Sequence, residues 1–385
     1  MATVLVLKNA EVYAPLPIGR KDILCFEGKI VKIGEVKTEH IEQLEVPFEI
    51  LDLDGAIVFP GLIDSHEHII GGSGEQGYKS RSPEIGITEI VRGGITTVIG
   101  CIGVDTYTRN MQSLLAMAKN YNEEGLTAYI WTGGYDVPPT TLTGSVKTDM
   151  ILVPEVIGAG EIAISDVRSS KPSLHELARL VSDAYNGSLF TGKCGVTHFH
   201  MGDGRDYLNP LFDLLQHFDI RPFSLYPTHV NRNAELLKEG CRITKASVMI
   251  DFDCCGGDLI PSLRSFVENE GDFNFLTLSS DASFVGPDFL YQQMMESLSY
   301  FEWPLEKILP LVTSNPARVL KLNKKGSIDV GMDADLVVVD PTTFEIFHVI
   351  ANGKIFMKDK KMEYEAKYLN YSTRKIEIYG KKTTG

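Results

Sequence analysis

The sequence has no apolar run of the roughly 18 residues that a membrane-spanning helix needs, although hydrophobic residues make up 43% of the chain. Its first residues, Met-Ala-Thr-Val-Leu-Val-Leu-Lys, also lack the basic segment and cleavage site of a secretory signal peptide. Charged residues amount to 23%, a value typical of globular proteins with a hydrophobic core. The sequence therefore predicts a cytoplasmic protein.

Cysteine is sparse, with six residues and no Cys-x-x-Cys pair. This spacing favours neither a disulfide framework nor a zinc site made of thiolates. Basic residues are fewer than acidic ones, and the formal net charge of −14 argues against binding to nucleic acid or to an anionic membrane. The classes that remain are a cytoplasmic enzyme and a cytoplasmic scaffold.

Both ends of the chain carry short strand patterns that turn at glycine-containing corners. The first end turns at Glu27-Gly28-Lys29, and the last end repeats the arrangement at Asn352-Gly353-Lys354. Neither end alone has enough apolar surface for a stable domain. We therefore predict one small discontinuous β-sandwich domain built from residues 1–58 and 325–385 of the 385-residue chain.

Between these ends, short apolar runs alternate with helical patterns. The eight runs are Gly61–Ser65, Thr96–Gly100, Thr127–Thr132, Glu161–Ser165, Val196–Phe199, Phe223–Pro227, Ser247–Asp251 and Leu276–Ser279. Stretches such as Arg109–Glu124 and Asp288–Phe301 carry apolar residues three and four apart. Eight strand–helix units over about 260 residues match a (β/α)8 TIM barrel, which we predict for residues 59–324. A doubly wound sheet is the alternative, but no Gly-rich phosphate loop follows the first run.

Histidines and carboxylates lie near five of these runs. His66 and His68 are two residues apart after an apolar run, so in a strand both would face the same side. The later candidates are Glu161, His200, His229 and Asp281, near the fourth, fifth, sixth and eighth runs. The carboxyl ends of barrel strands meet at one face, where TIM-barrel enzymes place their chemistry. We therefore expect these side chains to form one site.

The six side chains are nitrogen and oxygen ligands suited to zinc or a similar divalent ion. Six ligands exceed what one tetrahedral zinc takes while keeping a position for water, so the pattern predicts two ions bridged by a carboxylate and a hydroxide. Asp281 would accept the proton of the bound water and pass it to a leaving amine. Each histidine alone would be interpreted as a buried structural residue, and His198 could replace His200 as a ligand.

Two segments resemble the amidohydrolase superfamily. Pro60-Gly-Leu-Ile-Asp-Ser-His-Glu-His68 is similar to its PGxIDxHxH opening, and Gly331-Met-Asp-Ala-Asp-Leu-Val-Val-Val-Asp340 is similar to its GxDADLVV return to the β domain. Further segments look like the bacterial isoaspartyl (β-aspartyl) dipeptidases: Gly71-Gly-Ser-Gly-Glu-Gln-Gly77, Thr132-Gly-Gly-Tyr135, Leu142-Thr-Gly-Ser-Val146, Ala163-Ile-Ser-Asp-Val-Arg168, Phe199-His-Met-Gly-Asp203, Pro227-Thr-His-Val-Asn-Arg-Asn233 and Leu278-Ser-Ser-Asp281. The resemblance covers almost the whole chain. It implies hydrolysis of β-aspartyl dipeptides with the metal ligands given above.

The resemblance also implies how such a dipeptide would be held. Glu75 would bind the free α-amino group and Arg168 the α-carboxylate of the isoaspartyl residue. Arg232 would hold the carboxylate at the other end, and Tyr135 would donate to the oxyanion. Two arginines and one glutamate match the two carboxylates and one ammonium of the substrate. Without the resemblance, these residues would be interpreted as ion-pair partners, a solvated acid and a core tyrosine.

Two positions depart from the dipeptidase pattern. Glu161 stands where these enzymes carry a carboxylated lysine, and its two oxygens and single charge would preserve the bridge between the metals. The alternative is that Glu161 only balances charge and that one ion binds. After Asp281, Ser283 is predicted to take over the contact of a family serine. The Gly74 backbone and Thr106 are implied to complete the pocket.

Three other functions stay open on the sequence alone. One is a different amidohydrolase reaction, on a cyclic amide or by deamination, and another is deacetylation of an amino sugar. The third is a metal-free scaffold that keeps the fold without catalysing. The resemblance favours two divalent metal ions, with zinc as the expected metal, and a homo-oligomer as the assembly. A small-molecule dipeptide is the expected partner, with neither nucleic acid nor membrane.

Overall fold

Two sheets of different topology organise the chain, one built from both of its ends and one from its middle. The computed structural model describes residues 4–43, 45–72, 74–255 and 258–373. Residues 1–3 and 374–385, which the predicted terminal domain includes, lie outside the described residues. Within those described ranges, no helix is both long enough and apolar enough to cross a bilayer.

The amino-terminal strands begin the first sheet. They are β1 (Val4–Tyr13), β2 (Pro17–Phe26), β3 (Lys29–Ile33), β4 (Phe48–Asp52) and β5 (Ile57–Pro60), with the short helix α1 (Thr38–Glu42) between β3 and β4. Gly28, at the corner between β2 and β3, has a φ of +75°, and a Cβ atom there would lie 2.8 Å from the Asn352 carbonyl oxygen. Only glycine fits this conformation and this approach. The two predicted turns therefore pack on each other.

The middle of the chain forms eight parallel strands. They are β6 (Leu62–Glu67), β7 (Ile95–Gly100), β8 (Thr127–Thr132), β9 (Val156–Ile164), β10 (Val196–Met201), β11 (Leu225–Thr228), β12 (Ile250–Asp253) and β13 (Leu276–Ser279). Strands β6 to β11 pair in chain order, and β12 pairs with β13. Backbone hydrogen bonds close the ring, from Val230 to the Asp251 carbonyl (3.3 Å) and from Asp281 to the His66 carbonyl (3.0 Å). This closure confirms the predicted (β/α)8 barrel.

Helices connect these strands and follow the last one. They are α2 (Ile87–Arg92), α3 (Met111–Glu124), α4 (Val146–Leu152), α5 (Leu174–Thr191), α6 (Asn209–His217), α7 (Ala234–Thr244), α8 (Leu259–Glu268), α9 (Asp288–Phe301), α10 (Leu305–Val312) and α11 (Ser314–Val319). Helix α5 shows why they form: Ser173 and Glu176 make a capping box, and Gly192 ends the helix in the left-handed region. Its buried residues include Leu177 and Val181, four positions apart on one face.

The carboxyl-terminal strands complete the first sheet. They are β14 (Leu336–Val339), β15 (Ile346–Ala351), β16 (Lys354–Lys358) and β17 (Lys361–Met362). The strand order is β17-β16-β15-β14-β5-β1-β2-β3, with β4 beside β1, so β5 and β14 join the two ends of the chain. Ile30 of β3 and Ile350 of β15 share one core, which requires the sheet to curl over it. A β domain made from both termini is thus present, while its boundaries at residues 58 and 325 stay a prediction.

Three of the predicted apolar runs begin two or more residues away from the start of the observed strand. Instead of Glu161–Ser165, strand β9 begins five residues earlier, where Gly158 interrupts the apolar pattern. A Cβ atom at Gly158 would lie 2.4 Å from a carbonyl oxygen of β10, so the close approach of the strands requires glycine. The runs predicted at Phe223–Pro227 and Ser247–Asp251 begin later in the structure. A short 3-10 turn occupies the residues just before β11. Ser247, before β12, has a left-handed backbone (φ +65°) that a strand does not accommodate.

Candidate active site

The six side chains predicted as metal ligands lie together at the carboxyl-terminal end of the barrel. His66 lies in β6, Glu161 in β9 and His200 in β10, whereas His68, His229 and Asp281 follow β6, β11 and β13. All are buried except Asp281, whose side chain is 15% exposed. The expectation that strand ends would bring them to one place therefore agrees with the geometry. Their role as ligands stays a prediction.

The side chains around His66 and His68, which we call the first half of the cluster, are separated as expected for neighbouring ligands of one ion. His66 Nε2 lies 3.5 Å from Glu161 Oε2 and 3.4 Å from Asp281 Oδ1, and His68 Nε2 lies 3.1 Å from the same Asp281 oxygen. Two ligand atoms about 2.1 Å from a tetrahedral ion are about 3.4 Å apart. His66 Nε2 and Glu161 Oε2 are buried, and neither has a hydrogen-bond partner among the residues that the structure describes. A cation between them would satisfy both lone pairs.

Glu161 divides its two carboxylate oxygens between two groups of histidines. Oε2 faces His66, whereas Oε1 lies 2.5 Å from His200 Nδ1 and 3.2 Å from His229 Nε2. Burial opposes its ionisation, but the charges of His66 and His200 and hydrogen bonds to His200 and His229 hold the pKa of Glu161 well below its ordinary value. An anionic carboxylate thus lies where a bridging group would lie, and the donor set fits two divalent ions.

Two of the six residues have a left-handed backbone that non-glycine residues rarely adopt. His229 has a φ of +60° and Asp281 a φ of +47°. Such conformations cost of the order of 1–3 kcal/mol each and cluster at functional sites. Each residue lies just beyond its strand, so the backbone turn directs both side chains toward the other candidate ligands.

His198 does not take the place of His200 but contacts the far side of His66. Its Nε2 lies 3.2 Å from His66 Nδ1, and its Nδ1 lies 3.0 Å from the Tyr226 carbonyl oxygen. Burial, together with the charge of His66, holds the pKa of His198 well below its ordinary value, so the ring is neutral. Because a carbonyl only accepts, Nδ1 of His198 donates to it and Nε2 accepts from His66 Nδ1–H. When His66 is neutral, this arrangement places its lone pair on Nε2, the atom that faces Glu161.

Two strand-end residues were missed in the sequence. Asp253, the last residue of β12, accepts a hydrogen bond of 2.8 Å from His229 Nδ1. Burial lowers the pKa of His229, but the charge of Asp253 outweighs that effect and raises it to about 9. Cys101 follows β7, and its buried Sγ lies 3.6 Å from His68 Nδ1. Both residues lie at or just after the ends of predicted runs, the seventh and the second, so their position could have been predicted from the sequence.

Three predicted substrate contacts meet beside the histidines. Arg168 Nη1 lies 3.0 and 3.1 Å from the two carboxylate oxygens of Glu75, and the guanidinium lies over the Tyr135 ring, 5.2 Å from its centre. Tyr135 Oη lies 2.8 Å from His200 Nδ1. Burial, reinforced by the charge of Glu161, raises the pKa of Tyr135 well above its ordinary value, so the phenol keeps its proton. A hydrogen-bond donor therefore stands next to the candidate metal ligands.

Asp166, which the sequence analysis left without a role, holds both predicted arginines. It accepts hydrogen bonds from Arg168 Nε (3.0 Å) and Nη2 (2.8 Å), and its Oδ2 lies 3.6 Å from Arg232 Nη1. Burial opposes its ionisation, but hydrogen bonds to His200 and Arg168 hold the pKa of Asp166 well below its ordinary value. One carboxylate thus sets the separation of the two guanidinium groups.

The remaining predicted contacts lie in neighbouring loops. Thr106 packs so closely on Gly134 that a Cβ atom there would lie 2.2 Å from the threonine methyl group. Ser283 packs on Gly72, where a Cβ atom would lie 2.8 Å from the serine Cβ. Gly74 has a φ of +105°, a conformation that favours glycine. Contact of these three residues with a substrate stays a prediction.

Comparison with known proteins identifies the family. The model of the "Amidohydrolase family" matches residues 57–185 and 227–364. The chain belongs to the amidohydrolase family. It is therefore a metal-dependent hydrolase. This confirms the resemblance found in the sequence motifs.

The amidohydrolase is similar to β-aspartyl dipeptidase from Fervidobacterium islandicum AW-1. One crystal structure of that protein is 41% identical, covers 94% of this chain and 99% of that chain, and has a TM-score of 0.88. A second, in complex with the β-Asp-Leu dipeptide, is 38% identical over 95% of this chain and 99% of that chain, with a TM-score of 0.89. Allantoinase from Bacillus velezensis is 22% identical over 96% of this chain and 92% of its own length. Imidazolonepropionase from Thermoplasma volcanium is 23% identical over 80% of this chain and 82% of its own length.

Proposed function

We propose that this amidohydrolase is a metal-dependent dipeptidase that hydrolyses the β-aspartyl peptide bond. The observation that carries the proposal is the ion pair between Arg168 and Glu75, 3.0 Å apart beside the histidine cluster. A β-linked aspartyl residue carries a free ammonium and a free carboxylate on one carbon atom. Glu75 and Arg168 offer the two opposite charges side by side. The substrate can therefore replace one internal ion pair by two charge-assisted contacts.

Arg232 supplies the third charge that this substrate class requires. Its side chain is 26% exposed, and its Nη1 lies 3.6 Å from Asp166 Oδ2, the oxygen that Arg168 also contacts. The carboxylate at the far end of a dipeptide is a planar acceptor for such a guanidinium fork. An α-linked aspartyl dipeptide presents its free carboxylate from the side chain, one carbon farther from the ammonium. The similarity to β-aspartyl dipeptidase supports the β-linked substrate.

The residues divide into those that would hold metal and those that act on the substrate. When bound, two divalent ions, with zinc as the expected metal, would lower the pKa of a bound water and polarise the scissile carbonyl. The residues that would hold them are His66, His68, Glu161, His200, His229 and Asp281.

Asp281 and Tyr135 are suited to the proton and charge movements of amide hydrolysis. Burial raises the pKa of Asp281, but His66 and His68 outweigh that effect and lower it, so the carboxylate is ionised. Asp281 accepts the proton of the attacking water and delivers it to the leaving amine. The protonated phenol of Tyr135 donates to the oxyanion that develops on the former carbonyl.

The test compares release of free aspartate from β-Asp-Leu and α-Asp-Leu by zinc-loaded protein at one concentration. Cleavage of the β isomer alone is expected. The Asp281→Asn variant, loaded with the same metal, should lose about 10²–10⁴-fold in rate because it lacks the general base. Equal cleavage of both isomers, or cleavage of neither, would contradict the proposal.

A cyclic-amide hydrolase is the second candidate, and the likeness to allantoinase favours it. Allantoin is therefore assayed beside the two dipeptides with the same protein sample. Hydrolysis of allantoin without hydrolysis of β-Asp-Leu would support this candidate. The homo-oligomer, the cytoplasmic location and the absence of a nucleic-acid partner stay predictions.

A further inference from the structure

Cys101 occupies the same kind of position as the candidate metal ligands. It is the first residue after β7, the second strand of the barrel, and its side chain is fully buried. Its backbone amide donates to the carbonyl of Glu67 (3.0 Å), the residue between His66 and His68. The thiol is thereby fixed at the end of the barrel where the histidines meet.

The Cys101 sulfur is close to the ligand atoms of the first half of the cluster. Sγ lies 3.6 Å from Nδ1 and 3.9 Å from Nε2 of His68. One ligand atom each from His66, His68, Cys101 and Glu161 can be chosen so that all lie within 4.8 Å of one another. Sulfur at about 2.3 Å and nitrogen at about 2.0 Å from a tetrahedral ion are about 3.5 Å apart. The sulfur, 3.9 Å from the His68 nitrogen that faces Asp281, thus lies close to the separation expected for a fellow ligand of His68.

A second observation also indicates a cation in this half of the cluster. His66 Nε2 and Glu161 Oε2 are 3.5 Å apart and buried, and within the described part of the chain neither has a hydrogen-bond partner. Unsatisfied buried acceptors are costly unless an ion or a proton donor occupies the space between them. Both atoms belong to the residues that Cys101 approaches.

The contacts of the Cys101 sulfur with hydrogen-bonding partners are long, including the one of 3.6 Å to His68 Nδ1. Its sulfur is 3.7 Å from the Glu67 carbonyl oxygen, a weak contact. Cys194, another fully buried thiol, donates to the Ile157 carbonyl at 2.8 Å. Cys194 is therefore an ordinary core cysteine and serves as the comparison for Cys101.

We propose that the Cys101 thiolate is a ligand of the metal ion held by His66, His68 and Glu161. The inference rests on the metal centre of the proposed function and adds a soft ligand to it. On binding, the thiol proton leaves to solvent and the sulfur lone pair bonds the ion. The absence of a Cys-x-x-Cys pair argued against thiolate ligation, but a single cysteine joined to two histidines and a carboxylate needs no such spacing. A thiolate favours zinc or cadmium over magnesium or manganese at this position.

Metal-free protein is loaded with zinc, and mass spectrometry counts the bound ions. The zinc X-ray absorption fine structure of the loaded protein is then measured. A sulfur shell at about 2.3 Å beside the nitrogen and oxygen shell is expected for the wild type. Loading with cobalt(II) should add the near-ultraviolet thiolate-to-cobalt absorption. Both signals should persist in Cys194→Ala and be absent from Cys101→Ala and Cys101→Ser, with folding of each variant checked by circular dichroism.

The outcomes separate this inference from the proposed function. Full metal loading of the wild type with nitrogen and oxygen scattering only would overturn the role of Cys101, whether or not the protein cleaves β-Asp-Leu. A sulfur shell in a protein that leaves β-Asp-Leu intact would support Cys101 and overturn the dipeptidase. Failure to bind metal at all would overturn both. The wild-type spectrum decides the matter even where a Cys101 variant does not fold.

Discussion

His198 Nε2 lies 3.2 Å from His66 Nδ1, so one buried histidine orients another. His198 in turn donates to the Tyr226 carbonyl and stacks on Trp131, with the ring centres 5.0 Å apart and the planes inclined by 16°. These contacts leave the His198 ring one orientation. They also fix which nitrogen of His66 carries the proton, since the ring of His198 is neutral and offers only a lone pair.

Replacing His198 should therefore weaken metal binding without removing a ligand. His198→Leu is expected to lower metal affinity about 10–100-fold, the usual effect of losing a group that orients a ligand. His198→Gln keeps an oxygen that can accept from His66 and should lose less. Competition with a chromogenic chelator measures the affinity, and the exposed His217→Leu on α6 is the control. Wild-type affinity in His198→Leu would show that His66 needs no partner.

The second prediction concerns the carboxylate at the far end of the dipeptide. Arg232→Met should raise the KM for β-Asp-Leu about 10–100-fold, because a hydrogen bond to a charged group contributes about 1.5–3 kcal/mol. β-Asp-leucinamide lacks that carboxylate, so its KM should be the same in the wild type and the variant. The exposed Arg205→Met is the matched control. A similar loss with both substrates would mean that Arg232 acts on the fold or the metal instead.

Asp166 should act through the arginines that it holds. In Asp166→Asn the bidentate pairing with Arg168 is lost, and Arg168 is left with Glu75. We expect the KM for β-Asp-Leu to rise more than kcat falls. Because the pKa of Asp166 is held well below its ordinary value, it stays ionised at neutral pH and the KM difference should not change between pH 6 and pH 9. Steady-state kinetics across that range test this, with the exposed Asp206→Asn as control. A difference that disappears at one end of the range would mean that another group sets it.

The barrel and the meeting of six distant residues could be predicted from the sequence, because parallel strands place all their carboxyl ends at one face. The sequence did not reveal Asp166 or the contact that His198 makes. Their roles depend on which nitrogen or oxygen atom faces which neighbour, and spacing along the chain carries no such information. Strand β9 begins five residues before the predicted run, because at Gly158 the crowded strand pairing requires a residue without Cβ, which the apolar pattern does not show.

Lys325 should be a determinant of stability near the boundary between barrel and β domain. Its ammonium lies 2.9 Å from Asp333 and 2.5 Å from Asp335, with the lysine side chain only 6% exposed. Lys325→Met leaves two carboxylates without their buried partner and should cost about 3–5 kcal/mol. Urea denaturation measures the free energy of unfolding, and the exposed Lys324→Met is the control.

The same cluster predicts a pH dependence. Burial opposes both charges, but the carboxylates outweigh it and raise the pKa of Lys325, while Lys325 lowers that of Asp333. The contribution of Lys325 to the free energy of unfolding is fully present below pH 10.5, the ordinary pKa of lysine, and is lost as the pH rises through the higher pKa of the folded state. The contribution of Asp333 to the free energy of unfolding is fully present above pH 3.8, the ordinary pKa of aspartate, and is lost as the pH falls through the lower pKa of the folded state. The stability difference between wild type and Lys325→Met should thus be largest between these limits and shrink at both extremes.

Glu161 should make metal loading independent of bicarbonate. Its buried carboxylate is already anionic and contacts both groups of histidines, so no carboxylation of a side chain is needed. Metal content and β-Asp-Leu hydrolysis should be equal in protein loaded with and without bicarbonate. Glu161→Gln keeps the size but not the charge and should lose at least one of the two expected ions, as counted by mass spectrometry. Glu161→Lys provides the contrast, because an amine becomes an anionic ligand only after taking up carbon dioxide. Bicarbonate dependence in the wild type would mean that Glu161 is not the bridging ligand.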